Sequence, residues 1–335
     1  MIDPPLVLTM GEPAGVGAEL TVKVKSIFKN QYPFFVIGDY KFLTTVANKY
    51  SLKTLKMTSF TDPFEYPNRL CVLNHSMPQE IISGKISLKN SAEVKHIIKR
   101  AVSIVLNNDA SAIVTNPIDK WAVKQSGNFP YEGHTDFLAS LCNEKTNSVM
   151  MLTNKDGFRV VPLTVHLPIK KVSTKITIRL LENTLGLVHK VLKSDYNIQV
   201  PKILVTGLNP HAGERSTMGY EENDVIKPVI VKLNKTGMSL VGPVSADTAF
   251  TGEKRARFDA FVCMYHDQAL IPIKTLSFDE SINVTLGLPF VRTSPDHGTA
   301  LDIAGGDKAN PKSLMLAIEE AQKLTRIRRN NVKSL

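Results

Sequence analysis

Four apolar runs of this 335-residue chain stop at side chains that could do chemistry: "RVVPLTV" leads into His166, "KILVTGLNP" into His211, "SLVGPVSA" into Asp247 and "AFVCMY" into His266. Neutral imidazoles are common ligands of zinc and other first-row divalent ions, and three of them with one open position make a catalytic rather than a structural site. Their separations form no local metal signature, so only the fold could gather them. Asp247 offers an oxygen ligand or a proton acceptor. Lys274 and Arg292 close two further apolar runs, and with Asn283 between them they suit a phosphate or carboxylate. They are expected to project from strand ends toward the same edge. "GHTDF" adds His134 and Thr135 in a Gly-led loop.

Such side chains need elements to position them. Short apolar runs alternate with segments of helical period, the pattern of βαβ units and a mainly parallel sheet. In open parallel α/β sheets the ligand crevice lies beyond the carboxyl ends of the strands. Two more runs, "PLVLTM" and "SAIVTN", lead into Gly11 and Pro117 at that edge. Helices are expected over 91–107 with Ser91 as cap, over 174–194, and over 311–328 with Asn310 as cap and Pro311 in first position. The glycines of "GEPAGVGAEL" match neither GxGxxG nor GxxxxGK[ST], which excludes a Rossmann fingerprint and a P-loop.

The bulk properties bound the class. At this length two domains are the default, and 43% hydrophobic with 21% charged residues is a globular balance. No signal-peptide pattern and no long apolar run suggests secretion or a membrane span. Three cysteines without CxxC spacing argue against a disulfide framework or a structural zinc cluster, so a cytoplasmic protein is expected. The formal charge of +10 is spread along the chain rather than gathered into a patch, which suits small anionic ligands better than nucleic acid. Neither GxSxG nor a basic setting for a cysteine supports nucleophilic catalysis.

Taken in order, "TMGEPAGVGAE", "VTNPIDK", "GHTDFLA", "GLNPHAGE", "ADTAF", "YHDQALIPIK" and "RTSPDHGTALDIAG" resemble the 4-hydroxythreonine-4-phosphate dehydrogenase family of pyridoxal phosphate biosynthesis, over residues 9 to about 306. The resemblance implies two α/β/α domains of isocitrate/isopropylmalate-dehydrogenase-like type with a cleft between them. The expected division is 1–130 plus 296–335 for the first and 131–295 for the second. It implies His166, His211 and His266 as ligands of one divalent metal (zinc, magnesium or cobalt), with His166 serving the partner's site of a homodimer. It further implies substrate contacts from His134, Thr135, Lys274, Asn283 and Arg292, and contacts to NAD or NADP from His297, Gly298 and Asp302.

The implied reaction oxidises 4-phosphooxy-threonine at its 3-hydroxyl and decarboxylates the β-keto acid to 3-amino-2-oxopropyl phosphate. Lys274, Asp247 and a bound water are the alternatives for the base. Departures from the family pattern include Ala269 where glycine is common, the "TNPIDK" turn and the bulkier "RSTMGYEE" loop. Relatives acting on 4-phosphoerythronate or on cyclic dihydrodiol carboxylates define alternative substrates. A metal-dependent hydrolase or lyase without nicotinamide, and a non-catalytic anion-binding protein, are the competing classes.

Overall fold

The computed structural model describes residues 4–29, 31–127, 129–131, 133–142 and 148–333. The chain divides into two compact units, Met1–Ser148 with Leu288–Arg326, and Val149–Gly287 with Ile327–Leu335. The divisions lie near 148 and 287, where the sequence suggests 130 and 295, because packing follows the hydrophobic cluster. Phe137, Leu138 and Ala139 of the helix His134–Cys142, together with Leu288 and Phe290, are buried in the cluster that holds Val7, Phe35 and Ile113.

The first unit is a six-stranded parallel sheet. Its strands are β1 (Leu6–Thr9), β2 (Phe34–Gly38), β3 (Thr54–Lys56), β4 (Leu70–Asn74), β5 (Ala112–Thr115) and β12 (Val291–Pro295), in the order β3-β4-β2-β1-β5-β12. Residues of β1, β2 and β5 are buried throughout, the continuous apolar reading expected of central parallel strands. The helix Leu88–Leu106 lays Val94, Ile97, Ile98 and Ala101 on this sheet. Each fully buried aliphatic side chain there is worth about 1.5–3 kcal/mol. Its cap is Ser87, whose side chain accepts from Asn90 N, and not Ser91. Ser91 lies one turn inside and donates to the buried carboxylate of Glu12 at 3.0 Å.

The second unit is a mixed sheet of β6 (Val149–Asn154), β7 (Arg159–Pro162), β8 (Lys202–Thr206), β9 (Ser239–Val244), β10 (Ala260–Cys263) and β11 (Ser281–Leu286), in the order β11-β6-β7-β10-β8-β9. β6 runs antiparallel to β11 and β7, while β7, β10, β8 and β9 are mutually parallel. The expected helix over 174–194 is broken. A short turn Val172–Lys175 precedes the helix Ile178–Ser194, whose cap is Thr177.

Lys274 does not end a strand. It lies inside the helix His266–Ser277, which tolerates Pro272. Nor does Arg292 project from a strand end: it is the second residue of β12, paired in register with Ile113. Among the described residues no helix is long and apolar enough to cross a membrane.

Candidate active site

Parallel pairing puts the carboxyl ends of β7, β10, β8 and β9 on one edge, so the residues that follow them line up there as His166, His266, His211 and Asp247. The rings of His166 and His266 stand 5.8 Å apart between centroids, tilted by 40°. They border a cavity of about 200 Å³ with Thr164, Leu167, Tyr265 and Asp267. His266 opens its helix, and its Nδ1 lies 2.7 Å from the Asp267 carboxylate. A carboxylate on Nδ1 fixes the ring and leaves the Nε2 lone pair for a ligand. Gln268 locks the same edge. Its Oε1 accepts from Met264 N and from Thr206 Oγ1, each at 2.7 Å, and its Nε2 donates to Gly207 O at 2.8 Å. The three consecutive polar residues after β10 are thus an imidazole, its orienting acid and a cross-link between β10 and β8. Ala269, at a position where the family often has glycine, is fully buried among Phe261, Cys263 and Ile273.

His211 sits on an unusual turn. Residues 211–216 all have positive φ, from 37° to 76°. Left-handed backbone costs non-glycine residues roughly 1–2 kcal/mol each, so such a run persists only where its surroundings over-determine it. Just before the run the chain is anchored by Glu222, a buried carboxylate that sequence reasoning missed. Its Oε1 accepts from Leu208 N (2.8 Å) and Asn209 N (2.7 Å), and its Oε2 accepts from Asn209 Nδ2 (2.9 Å). Gly207 and Gly213 are required beside it, since an added Cβ at either would meet a Glu222 carboxylate oxygen at 3.0 or 2.6 Å. The adjacent carboxylates before an apolar helix were the only signal in the sequence. Asp247 stands within electrostatic reach of His211; the Ser245 hydroxyl, donating to it, holds its carboxyl below the usual range.

The first unit carries a cluster of buried basic groups. Arg292 is 3% exposed, and its Nη2 donates to Thr115 Oγ1 at 2.6 Å. Burial pushes the guanidinium down to about 10. Burial, then the positive charges of Arg292 and Lys120, holds His134 well below the ordinary histidine value. Although His134 is partly exposed as a residue, its Nε2 is buried and has no hydrogen-bond partner among the described residues. Lys120, which sequence reasoning did not single out, lies close enough that a methyl on Gly133 would touch its Nζ at 3.5 Å. A neutral imidazole near two cations, with a buried nitrogen that has no hydrogen-bond partner among the described residues, is an arrangement an anion would relieve. Thr135 follows in the same helix.

The structure therefore brings the expected residues together in three groups: His166 with His266, His211 with Asp247, and His134 with Arg292. Asn283 lies in β11 with a buried Oδ1 that has no partner among the described residues, and Lys274 Nζ lies 5.8 Å from the Phe278 ring. The donor types fit a divalent ion. Their grouping within one chain does not complete its coordination, since among the described residues no three histidine, cysteine or acidic side chains lie together to hold a metal. The cofactor stretch fits better. His297 Nε2 is buried with no hydrogen-bond partner among the described residues, its Nδ1 lies 2.9 Å from Gly298 O, a side chain at Gly298 would meet no described atom within 4 Å, and Asp302 is exposed.

An α/β protein that lines up imidazoles and a carboxylate at the strand ends of one unit fits the class of enzymes that act on small metabolites. Comparison with known proteins gives the family. The model of the pyridoxal phosphate biosynthetic protein PdxA matches residues 30–321, and the chain belongs to that family. A 4-hydroxythreonine-4-phosphate dehydrogenase of Roseobacter denitrificans is 42% identical over 321 residues, covering 95% of this chain and 96% of that protein. The crystal structure of a 4-hydroxythreonine-4-phosphate dehydrogenase from Klebsiella pneumoniae matches with a TM-score of 0.84 at 31% identity, over 96% of this chain and 99% of that one. More distant is a terephthalate 1,2-cis-dihydrodiol dehydrogenase from Burkholderia xenovorans LB400, with a TM-score of 0.65 at 26% identity over 95% and 97% of the two chains.

Proposed function

We propose that this chain oxidises 4-hydroxythreonine 4-phosphate at the 3-hydroxyl with a nicotinamide cofactor and decarboxylates the product to 3-amino-2-oxopropyl phosphate, a step of pyridoxal phosphate biosynthesis. Family membership over nearly the whole chain supports this reading. The observation that carries it at the level of residues is the buried Arg292–His134 pair, whose open imidazole nitrogen suits a phosphorylated substrate.

When bound, a divalent ion polarises the substrate oxygen and the nicotinamide accepts hydride. The chain's own residues do the rest. Arg292, His134 and Thr135 hold the substrate, Lys274 and Asn283 complete its polar contacts, and His297, Gly298 and Asp302 contact the cofactor. His166, His211 and His266 are the metal-ligating set, with Asp267 orienting His266. A carboxylate held at low pKa is a weak proton acceptor, so Asp247 suits charge stabilisation beside His211, and the proton of the 3-hydroxyl passes to a bound water or to Lys274 in its neutral amine form.

A homodimer accounts for the incomplete metal site, with His166 serving the partner's centre. Exposed Ile169, Ile271 and Phe278 in the same unit supply apolar surface for such an interface. Light scattering that gave a monomer mass would remove the shared site.

The activity test is direct. Purified protein, 4-hydroxythreonine 4-phosphate, NAD and a divalent metal should yield reduced nicotinamide by absorbance, and Arg292→Lys should raise KM about tenfold or more through loss of the planar fork. No reduced nicotinamide with metal bound, or an unchanged KM in the variant, would overturn the reading.

A further inference from the structure

The glycines of "GEPAGVG" match no phosphate fingerprint, and the packing gives them another use. A Cβ added at Gly11 would meet Pro117 O at 2.5 Å, and one at Gly15 would meet Thr299 O at 2.9 Å. The turn that follows β1 is therefore pressed against two other loops of the first unit. Backbone bonds join it to both: Glu12 N donates to Pro117 O at 2.8 Å and Val16 N to Thr299 O at 3.0 Å. Each of those loops carries residues of the proposed reaction. Pro117 leads through Asp119, whose side chain accepts from Ala122 N at 2.8 Å, into the helix Lys120–Gln125, and Lys120 is a cation near His134. Thr299 lies inside the stretch His297–Asp302.

Glu12 sits in this turn and is 1% exposed, so it reaches neither substrate nor cofactor. Its Oε2 accepts from the Ser91 hydroxyl at 3.0 Å and its Oε1 from Ala14 N at 3.3 Å. Ser91 is fully buried, one turn inside the helix that lays Val94, Ile97, Ile98 and Ala101 on the sheet. The carboxylate thus fastens a glycine-containing turn to a rigid element. Burial, and to a smaller extent the charge of Asp119, raises its pKa above the usual carboxylate range. An acid in that setting is a costly way to fill space, and an apolar side chain of the same size would pack without the desolvation penalty. What the acid adds is a fixed distance between the turn and Ser91.

We propose that Glu12 is a positioning residue of the reaction: by fastening the turn 11–16 to Ser91, it holds the turn at 117–120 and the stretch 297–302 at a fixed separation. The inference rests on the dehydrogenase reading. A misplacement of about 1 Å far from the chemistry can cost about 100-fold in rate. Loosening this one tie while the backbone bonds remain should cost roughly tenfold.

The variants are Ser91→Ala, the milder change, and Glu12→Met, which keeps the length and removes both acceptors. In the whole chain without ligand, hydrogen exchange at the Glu12 and Val16 amides should quicken about tenfold in each. In the NAD-linked assay kcat should fall about tenfold, while the KM values for substrate and NAD stay within about twofold. The double variant should be no slower than the slower single one, since both changes cut the same tie. A merely structural role would lower the melting temperature and leave the kcat of the folded chain unchanged. Ser91→Ala carries the test if Glu12→Met does not fold. Parent-like exchange in the folded variants overturns the tie, and faster exchange with kcat intact overturns the positioning role. The dehydrogenase reading fails by a different result. If the unaltered chain never reduces NAD with metal bound, that reading falls, and faster exchange at Glu12 and Val16 still upholds the tie from Glu12 to both loops.

Discussion

Removing Glu222 should cost stability and, separately, disturb His211. Its carboxylate accepts three hydrogen bonds at 2.7–2.9 Å in a buried setting. Hydrogen bonds to charged groups are worth about 1.5–3 kcal/mol, and each buried donor left unmatched costs roughly 1–3 kcal/mol. Glu222→Ala strands two backbone N–H groups, while the Asn209 amide keeps its bond to Glu221, so a loss of roughly 3–5 kcal/mol is expected after partial relaxation. Glu222→Gln keeps an oxygen for Leu208 N and Asn209 N but turns an amide toward Asn209 Nδ2, and should lose about 1–2 kcal/mol. The second effect is on presentation. Without its anchor the left-handed run 211–216 relaxes toward ordinary backbone, and His211 leaves its position. Ligand-orienting partners of this kind change metal affinity about 10–100-fold. Urea unfolding followed by circular dichroism reads the first effect, and titration with cobalt(II), followed by its visible absorption, reads the second. If the alanine variant unfolds as the parent does, the clamp is not structural. If it is destabilised yet binds cobalt unchanged, the turn is held by something else and the link from Glu222 to His211 fails.

Two further outcomes follow from buried titratable groups. Lys25 is 1% exposed, donates to Lys29 O at 2.8 Å and lies 5.3 Å from the Phe34 ring, and burial pushes it from 10.5 to about 8. The unfolded chain binds that proton more tightly, so the penalty is fully present below pH 8 and fades as pH rises to 10.5. At about 1.4 kcal/mol per pKa unit, Lys25→Met should gain up to roughly 3 kcal/mol at pH 7 and little near pH 10, by urea midpoints; a variant less stable at pH 7 would refute this. His134 is likewise held below its unfolded value, so below pH 6.5 the unfolded chain takes up a proton that the folded one refuses, and stability falls as pH drops. His134→Gln should remove up to about 1.4 kcal/mol per pH unit of that slope between pH 6.5 and 5.5, and identical slopes would contradict the buried neutral imidazole.

How much of this was legible in the sequence depended on the kind of order involved. A parallel sheet converts sequence distance into adjacency by strand order alone, so apolar runs ending in His166, His211, Asp247 and His266 were enough to foresee one shared edge. The helix holding Lys274 was not legible, because "ALIPIK" is a short apolar run interrupted by Pro272 and periodicity cannot tell such a run from a strand. Glu222, Gln268 and the tie from Ser91 to Glu12 were invisible for another reason. Each acts through register and side-chain reach across loops, which no local spacing encodes. The same distinction bears on the metal. Strand order places the imidazoles in a row, and a row of neighbouring strand ends supports close pairs more readily than a convergent triad. His166 stands beside His266, while His211 lies within electrostatic reach of Asp247. In the proposed homodimer a second copy would supply the remaining donors, since a two-fold axis can bring the same surface of both copies together.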